Sequence, residues 1–213
     1  MSTGIFITGS GTDVGKTFIA QRLVKALSQQ CVVSVRKPVE SDCRRQGEVL
    51  ITKDAASLQA LSNANEDIDT VCPYRFELCA SPELAAKTDD KVLSLAQLVE
   101  ASQASNFVVV EGAGGIYSPV ARDALNIDLA QALGLPLVLV VKDELGAINQ
   151  ALLADQAATS AGLSVLAIVL NQFESNSLDN DQAIAQYTKT PVVCYQGDDE
   201  RFNQALLALI EQG

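Results

Sequence analysis

Histidine is absent from this chain of 213 residues, and that absence excludes several kinds of catalytic site. Ser-His-Asp triads, Cys-His dyads and metal sites with histidine ligands all require an imidazole. Phosphoryl transfer does not, because it depends mainly on positioning and on charge neutralisation by lysine, Mg²⁺ and backbone N–H groups. The composition therefore leaves phosphoryl chemistry open.

Basic residues are scarce as well: 15 Lys and Arg stand against 26 Asp and Glu, which gives a formal net charge of −11. We therefore expect no nucleic acid and no membrane as a partner, since a broad basic surface is what holds nucleic acids and anionic membranes. Apolar runs are too short to span a membrane, and the N-terminal stretch does not resemble a signal peptide. These features predict a cytoplasmic protein.

Cysteine pairs of the C-x-x-C kind are also missing. The five cysteines are odd in number, so we interpret them as reduced and structural. They are Cys31, Cys43, Cys72, Cys79 and Cys194. A hydrophobic content of 48% can fill a large core, and we expect residues 1–213 to form a single domain.

The most specific motif is the segment 8–17, which reads TGSGTDVGKT and follows an apolar run at residues 5–7. A strand, a glycine-bearing turn and a helix opening at Gly-Lys-Thr predict a phosphate-binding loop. Lys16 then reaches the β- and γ-phosphates, and the Thr17 hydroxyl can coordinate Mg²⁺. Ser10 replaces the glycine of the strict spacing. The alternative, a glycine-rich turn with a chance Lys-Thr pair, is disfavoured by the flanking pattern.

Apolar runs rich in strand formers alternate with segments of helical periodicity, which is typical of α/β folds. Strands are predicted at residues 5–8, 31–36, 107–110, 137–141, 165–170 and 192–194. Helices are predicted at residues 16–29, 54–62, 93–102, 126–133, 147–161, 179–188 and 199–212. Strands that are apolar throughout are buried on both faces, so we expect a doubly wound, mostly parallel sheet with ligands at the carboxyl ends of its strands. The polar stretch 43–52 is predicted to be one mobile loop.

Two charged residues follow predicted strands. Glu111 ends one strand and precedes the segment Gly-Ala-Gly-Gly, so its carboxylate can meet Mg²⁺ while the glycines let backbone N–H groups approach a phosphate. The alternative is an acid that caps a turn. Lys37 follows another strand and is held extended by Pro38, and alone it would be a solvated lysine. Asp54 opens a predicted helix, where its default role is an N-cap.

Five segments in the same order resemble the dethiobiotin synthetase family. Residues 8–17 match the family's T-G-x-x-T-[DE]-V-G-K-T, and residues 37–41 match its K-P-x-x-[ST]. Residues 54–55 match its aspartate before an alanine-rich helix. Residues 111–115 match its E-G-A-G-G, and residues 145–149 match its L-G-x-I-N. The resemblance implies a sheet of the P-loop NTPase type and an ATP- and Mg²⁺-dependent enzyme. It makes Thr17, Asp54 and Glu111 the Mg²⁺ neighbours, so the cap interpretation of Asp54 gives way to a metal role.

The remaining site residues are also implied by the resemblance. Lys16 and Lys37 are the catalytic residues. The ATP-binding residues are Thr12, Asp13, Val14, Gly15, Lys16, Thr17, Phe18, Asp54, Glu111, Gly112, Ala113, Gly114, Asn171, Gln172 and Gly197. The substrate-binding residues are Lys37, Ser41, Gly146, Ala147, Ile148 and Asn149. The chain departs from the family where Glu83 replaces a histidine in S-P-H-x-A-A and where the N-[DE] pair reads Asn171-Gln172.

The implied reaction starts from 7,8-diaminononanoate that carries a carbamate formed from CO₂ or bicarbonate. The carbamate oxygen attacks the γ-phosphate of ATP, and the second amine closes the ring with release of ADP and phosphate. Lys37 would hold the carbamate, and Ser41 would orient that end of the substrate. The helix beginning near Ala147 would bind the distant carboxylate from a second subunit, which implies a homodimer.

Two other functions share this sheet. A switch ATPase of the partition or division-site type carries a lysine at the start of K-G-G-x-G-K-[ST], where this chain has Gly11. It would also need a basic C-terminal helix, whereas residues 200–213 contain one cation, Arg201. The third possibility is another amide-forming or phosphotransferase enzyme, which phosphate release in the presence of the diamine and bicarbonate would distinguish.

Overall fold

The computed structural model describes residues 4–174 and 176–212. The strands are β1 (Gly4–Gly9), β2 (Val33–Arg36), β3 (Val39–Glu40), β4 (Arg44–Gln46), β5 (Val49–Ile51), β6 (Tyr74–Arg75), β7 (Phe107–Glu111), β8 (Pro119–Ala121), β9 (Ala124–Leu125), β10 (Leu137–Lys142), β11 (Val165–Asn171) and β12 (Val192–Tyr195). The helices are α1 (Lys16–Leu27), α2 (Asp54–Gln59), α3 (Ile68–Val71), α4 (Pro82–Thr88), α5 (Leu95–Ala101), α6 (Asn126–Leu133), α7 (Ala147–Ser160), α8 (Asn180–Ala185) and α9 (Asp199–Gln212).

A six-stranded sheet in the order β12-β11-β10-β1-β7-β2 forms the centre of the molecule, and its neighbouring strands run parallel. Side chains alternate along each strand. Phe6 therefore packs in one buried cluster, while Ile5 and Ile7 pack in another. The first cluster includes residues of α4 to α8 and the second includes residues of α1, α2 and α9. Helices thus cover both faces, which confirms the predicted α/β class.

The strand order brings distant parts of the sequence to one edge. β1 lies between β10 and β7, and β2 pairs with the far side of β7. In this register Ile7 is opposite Glu111, and Arg36 is opposite Val110. Because the strands are parallel, the segments that follow β1, β2 and β7 emerge side by side at the carboxyl edge. Lys16 and Lys37 lie in the chain after β1 and β2, and Glu111 is the last residue of β7.

The stretch 43–52 differs from its prediction. It contains an antiparallel hairpin of β4 and β5, in which Gln46 pairs with Val49 and Gly47 takes a left-handed conformation with φ 62° in the turn. Most of the hairpin is exposed on both faces, and an exposed hairpin shows no apolar alternation for sequence reasoning to detect. The short β3–β6 and β8–β9 pairs and the helices α3 and α4 were likewise not predicted.

All five cysteines are free thiols, in keeping with the reduced state predicted for them. Cys43 and Cys72 are buried, and burial raises the pKa of Cys43 to about 11 and moves the pKa of Cys72 further above its ordinary value. Cys31 and Cys79 are exposed, so burial does not account for these two thiols. In the described part of the chain, none of the helices has the length and apolar character to cross a membrane.

Candidate functional site

The predicted phosphate loop is present between β1 and α1. Gly15 precedes the first helical residue with φ 92°, and a Cβ there would lie 2.0 Å from Asn171 Nδ2, so glycine is required. Lys16 is 7% exposed and donates a hydrogen bond of 2.9 Å to the Gly11 carbonyl. Burial, and then repulsion by Lys37, lowers the pKa of Lys16 to about 8. The first-turn N–H groups of α1 have no intrahelical acceptor and are therefore available to an anion.

Glu111 occupies the end of β7 and is fully buried. Its Oε1 accepts a hydrogen bond of 2.8 Å from the Thr17 hydroxyl. Its Oε2 is buried and has no hydrogen-bond partner among the described residues. Burial raises the pKa of Glu111, although the neighbouring Lys37 ammonium acts in the opposite direction. An acid that only capped a turn would not leave such an oxygen unsatisfied.

Lys37 is 4% exposed, so the interpretation as a solvated lysine is wrong. Its Nζ lies 2.5 Å from Glu111 Oε1 and 3.1 Å from Asp54 Oδ2, and it also donates to the Gly112 carbonyl at 3.3 Å. Burial alone would lower the pKa of Lys37, but the attraction of Glu111 and Asp54 outweighs it and raises the pKa well above its ordinary value. Lys37 is therefore a charged ammonium shared by two carboxylates.

Asp54 is the first residue of α2, but its carboxylate does not cap the helix. The side chain of Glu40 does so instead: Oε1 accepts from the backbone N–H of Lys53 at 2.6 Å and of Asp54 at 3.0 Å, and Oε2 accepts from Ala55 N–H at 2.9 Å. The default cap interpretation of Asp54 is thus wrong. Burial acts to raise the pKa of Asp54, but Lys37 outweighs it and holds this pKa below its usual value.

Together, Thr17, Asp54 and Glu111 fit a magnesium ion. They offer a hydroxyl and two carboxylates, which are the hard oxygen ligands that Mg²⁺ prefers. The unsatisfied Oε2 of Glu111 and the cation already shared by both carboxylates show that this place suits a positive charge. Over residues 4–174 and 176–212 no three Asp, Glu, His or Cys side chains form a metal cluster by themselves. Mg²⁺ is usually bound by one or two carboxylates together with substrate phosphates and water.

The Gly112–Gly115 segment packs directly against the phosphate loop. A Cβ at Gly115 would lie 3.1 Å from Gly11 Cα, and Gly114 takes φ 75°. Asn126 fixes the segment through two hydrogen bonds. Its Nδ2 donates to the Ala113 carbonyl and, at 2.8 Å, to the Gly115 carbonyl. Asn126 was missed by sequence reasoning, since it lies at the start of a helix and contacts the segment only in the folded chain.

A cavity of about 650 Å³ lies beside the start of α1. Its lining residues are Phe18, Asn171, Gln172, Phe173, Asn176, Tyr195, Gln196 and Gly197, which include four of the predicted ATP-binding residues. Asn171 Nδ2 donates to the Val14 carbonyl at 3.1 Å, so this residue joins the cavity to the phosphate loop. Its buried Oδ1 has no partner within the described residues. Arg22 was not among the predicted site residues. Its guanidinium carbon lies 3.3 Å from the centroid of the Phe18 ring.

The predicted substrate residues are divided between two places. Ser41 lies close in sequence to Lys37, and its hydroxyl donates to the Ala80 carbonyl at 2.6 Å. Gly146 takes φ 99° before α7 and is exposed. Within residues 4–174 and 176–212, no hydrogen bond or ion pair joins residues 146–149 to Lys37 or Ser41. Glu83 lies in the first turn of α4.

Known proteins resemble the chain in sequence and in structure. A family model described as an AAA domain matches residues 3–195. The ATP-dependent dethiobiotin synthetase of Ruthia magnifica subsp. Calyptogena magnifica is 52% identical over 209 residues, which cover 98% of this chain and 95% of that protein. The enzyme of the same name from Vesicomyosocius okutanii subsp. Calyptogena okutanii is 50% identical over 92% of this chain and 91% of its own length.

Two solved structures show the same fold at low identity. The septum site-determining protein MinD of Pyrococcus horikoshii, complexed with Mg-ADP, aligns with a TM-score of 0.59 and 14% identity over 100% of this chain and 96% of its own. A ParA family ATPase from Chlorobium tepidum aligns with a TM-score of 0.59 and 13% identity over 100% of this chain and 93% of its own. They confirm the P-loop NTPase type of the sheet.

Proposed function

Because the chain belongs to the family of ATP-dependent dethiobiotin synthetases, we propose that it is a ligase that closes the cyclic urea of dethiobiotin from 7,8-diaminononanoate, CO₂ and ATP. The observation that carries this proposal is the meeting of Lys16, Thr17, Lys37, Asp54 and Glu111 at one sheet edge. The site offers cations, two acids and free helix N–H groups, which is what phosphoryl transfer requires without an imidazole.

The phosphates of ATP occupy the loop from Thr12 to Thr17, where the first-turn N–H groups of α1 and the Lys16 ammonium bind their oxygens. Thr17, Asp54 and Glu111 would hold Mg²⁺, which supplies charge neutralisation on the transferring phosphoryl group. The base lies in the cavity lined by Phe18, Asn171 and Gly197. There the unpaired Asn171 Oδ1 can accept a hydrogen bond from an amino group of the base.

Lys37 is the residue that distinguishes this site from a simple ATPase. Its buried ammonium binds the carbamate oxygens and steadies the charge that develops as one of them attacks the γ-phosphorus atom. The bond from the γ-phosphorus to the bridging oxygen breaks, and ADP leaves. The second amine of the substrate then attacks the carbonyl carbon of the carbamic-phosphoric anhydride. A C–N bond forms, the C–O bond to the phosphoryl group breaks, and phosphate leaves as the amine nitrogen loses a proton. Ser41 orients the carbamate end of the diamine.

The far end of the substrate needs a second copy of the chain. Gly146 precedes the first residue of α7, whose N–H donates to the Glu144 carbonyl at 3.0 Å, and the next N–H groups, those of Ile148 and Asn149, can bind a carboxylate. Leu145 beside it is 89% exposed and Leu153 on the same helix is 64% exposed, an apolar exposure that a homodimer would cover. We therefore propose a homodimer of single-domain subunits. The cytoplasmic location expected from the sequence stays a prediction.

The test is phosphate release with ATP, Mg²⁺, bicarbonate and the diamine, each omitted in turn, with dethiobiotin detected by mass spectrometry. We expect release to depend on all four components and to match dethiobiotin formation. Phosphate release that continued without the diamine, with no dethiobiotin formed, would instead indicate a switch ATPase. Release that needed a different amine or acid would indicate another ligase of this fold.

A further inference from the structure

Glu40 is a buried carboxylate that the proposed reaction does not use. It is 5% exposed, and both of its oxygens are occupied by the three backbone N–H groups at the start of α2. The residue at the N-cap position is Lys53, whose side chain has no acceptor atom for a helix N–H. The cap of α2 is therefore supplied by a residue 13 positions away from Lys53 in sequence.

The backbone around Glu40 is fixed at several points. The Glu40 carbonyl accepts from Phe76 N–H at 2.9 Å as part of the β3–β6 pair, and Lys37 N–H donates to the Val71 carbonyl at 2.9 Å. The segment that carries Lys37 is thus held independently of α2. Glu40 then ties the first turn of α2 to this segment, and the same turn carries Asp54.

We propose that Glu40 is a positioning residue that holds the Asp54 carboxylate at the magnesium site by anchoring α2 to the strand that follows Lys37. The inference rests on the proposed function in one respect, because it takes Asp54 as a neighbour of Mg²⁺. The Asp54 side chain is one-third exposed, and its Oδ2 accepts a hydrogen bond from the Lys37 ammonium at 3.1 Å. The Thr17 hydroxyl also interacts with this carboxylate. Where Mg²⁺ takes the place of the ammonium, Thr17 is itself a neighbour of the metal, and the position of Asp54 is then fixed by the backbone that Glu40 anchors.

The experiment measures Mg²⁺ binding without turnover. Fluorescent N-methylanthraniloyl-ADP is bound to the wild type and to Glu40→Gln, first in EDTA and then during titration with Mg²⁺. The amide nitrogen of glutamine cannot accept from a helix N–H, so at least one anchoring bond is lost. We expect nucleotide affinity in EDTA to stay within about twofold, and the Mg²⁺ concentration at half-saturation to rise by roughly 10-fold or more, as is usual when the partner of a metal ligand is removed.

A matched control separates positioning from plain helix capping. Ser94 caps α5 through a capping box with Gln97, far in sequence from the site. Ser94→Ala should lower the melting temperature without changing the Mg²⁺ half-saturation. If Glu40→Gln lowered the melting temperature and also left the Mg²⁺ half-saturation unchanged, Glu40 would be only a cap and the inference would be overturned.

Two further variants keep the test decisive. Asp54→Asn should raise the Mg²⁺ half-saturation at least as much as Glu40→Gln. If Glu40→Gln does not fold, Glu40→Asp keeps the charge on a shorter side chain, and an unchanged Mg²⁺ half-saturation in that variant would overturn the inference. The diamine is not used, so a wild type that formed no dethiobiotin but showed the Glu40 effect would contradict the proposed function alone.

Discussion

Lys37 in the ligand-free chain neutralises the buried carboxylate of Glu111 and the partly exposed carboxylate of Asp54. Replacing it by glutamine leaves Glu111 and Asp54 facing each other with no ammonium between them. Loss of one partner of a buried pair costs on the order of 3–5 kcal/mol, because the remaining charge is uncompensated. We expect Lys37→Gln to lower the free energy of unfolding strongly without ligand and much less with Mg²⁺ and ADP.

Urea unfolding with and without Mg²⁺ and ADP measures the loss in the free energy of unfolding. Steady-state kinetics measures the effect of the same substitution on kcat. The kcat of Lys37→Gln should fall far more than ATP binding weakens, since Lys37 acts on charge that grows in the transition state. Intact kcat with greatly weakened ATP binding would show that Lys37 is a nucleotide ligand and would remove its carbamate role.

The thiols give a second prediction at this scale. Cys31 and Cys79 are exposed and should react with iodoacetamide at neutral pH, whereas Cys43 should react only after unfolding. Burial raises the pKa of Cys43 from an ordinary value of 9.0 to about 11, so between these values the unfolded chain loses a proton that the folded chain keeps. This thiol therefore contributes stability below pH 9 that is lost as the pH rises to about 11.

Mass spectrometry of the alkylated peptides identifies the reactive cysteines. Labelling of Cys43 in the folded chain at neutral pH, at the rate seen for Cys79, would contradict the burial of this thiol. The Cys43→Ser variant is the matched control for stability, because its hydroxyl does not titrate in this range.

At the scale of elements, the turn before α1 depends on Gly15. Alanine there would place its Cβ 2.0 Å from Asn171 Nδ2 and force φ 92° on a residue that avoids it. Gly15→Ala should therefore displace both the phosphate loop and the base cavity. We expect nucleotide affinity to fall by at least about 10-fold, or 1.4 kcal/mol.

Gly47 in the β4–β5 turn provides the control for this prediction. It has φ 62° and nothing within 4 Å of an added Cβ, so Gly47→Ala introduces backbone strain without a clash. Isothermal titration with Mg²⁺ and ADP should show wild-type affinity for Gly47→Ala. Equal losses in both variants would contradict a local effect at Gly15, because Gly47 lies in the β4–β5 turn and not in the phosphate loop.

Sequence reasoning located the elements of the sheet better than the contacts between them. Apolar strands and the Gly-Lys-Thr helix start are local patterns, and the structure confirms them. Lys37 and Glu111 could be selected because each follows a strand. Asp54 needed the family resemblance, since a helix-opening aspartate usually caps, and Glu40 and Asn126 had no signal at all. Their partners are set by tertiary packing, which no local spacing records.

At the scale of the whole molecule, the proposed dimer places Leu145 at the interface. Leu145→Glu would put a charge where an apolar surface is covered, so we expect monomers and a higher KM for the diamine with ADP binding unchanged. Tyr187, which is 72% exposed, offers the control variant Tyr187→Glu. Light scattering after gel filtration measures the assembly. A dimeric Leu145→Glu with wild-type kinetics would contradict the proposed interface.

The central position of β1 in the sheet has a consequence for the order of events during synthesis. This strand is synthesised before both of its neighbours, β7 and β10, and β10 ends only at Lys142. Until residue 142 is made, β1 cannot pair fully with β10, so the phosphate loop that follows β1 lacks one of its neighbouring strands. Long-range pairings of this kind close slowly because they must first overcome the entropy of a large loop. ATP can therefore act as a stabilising ligand only after residue 142 has been made, and not as a template for the earliest folding steps.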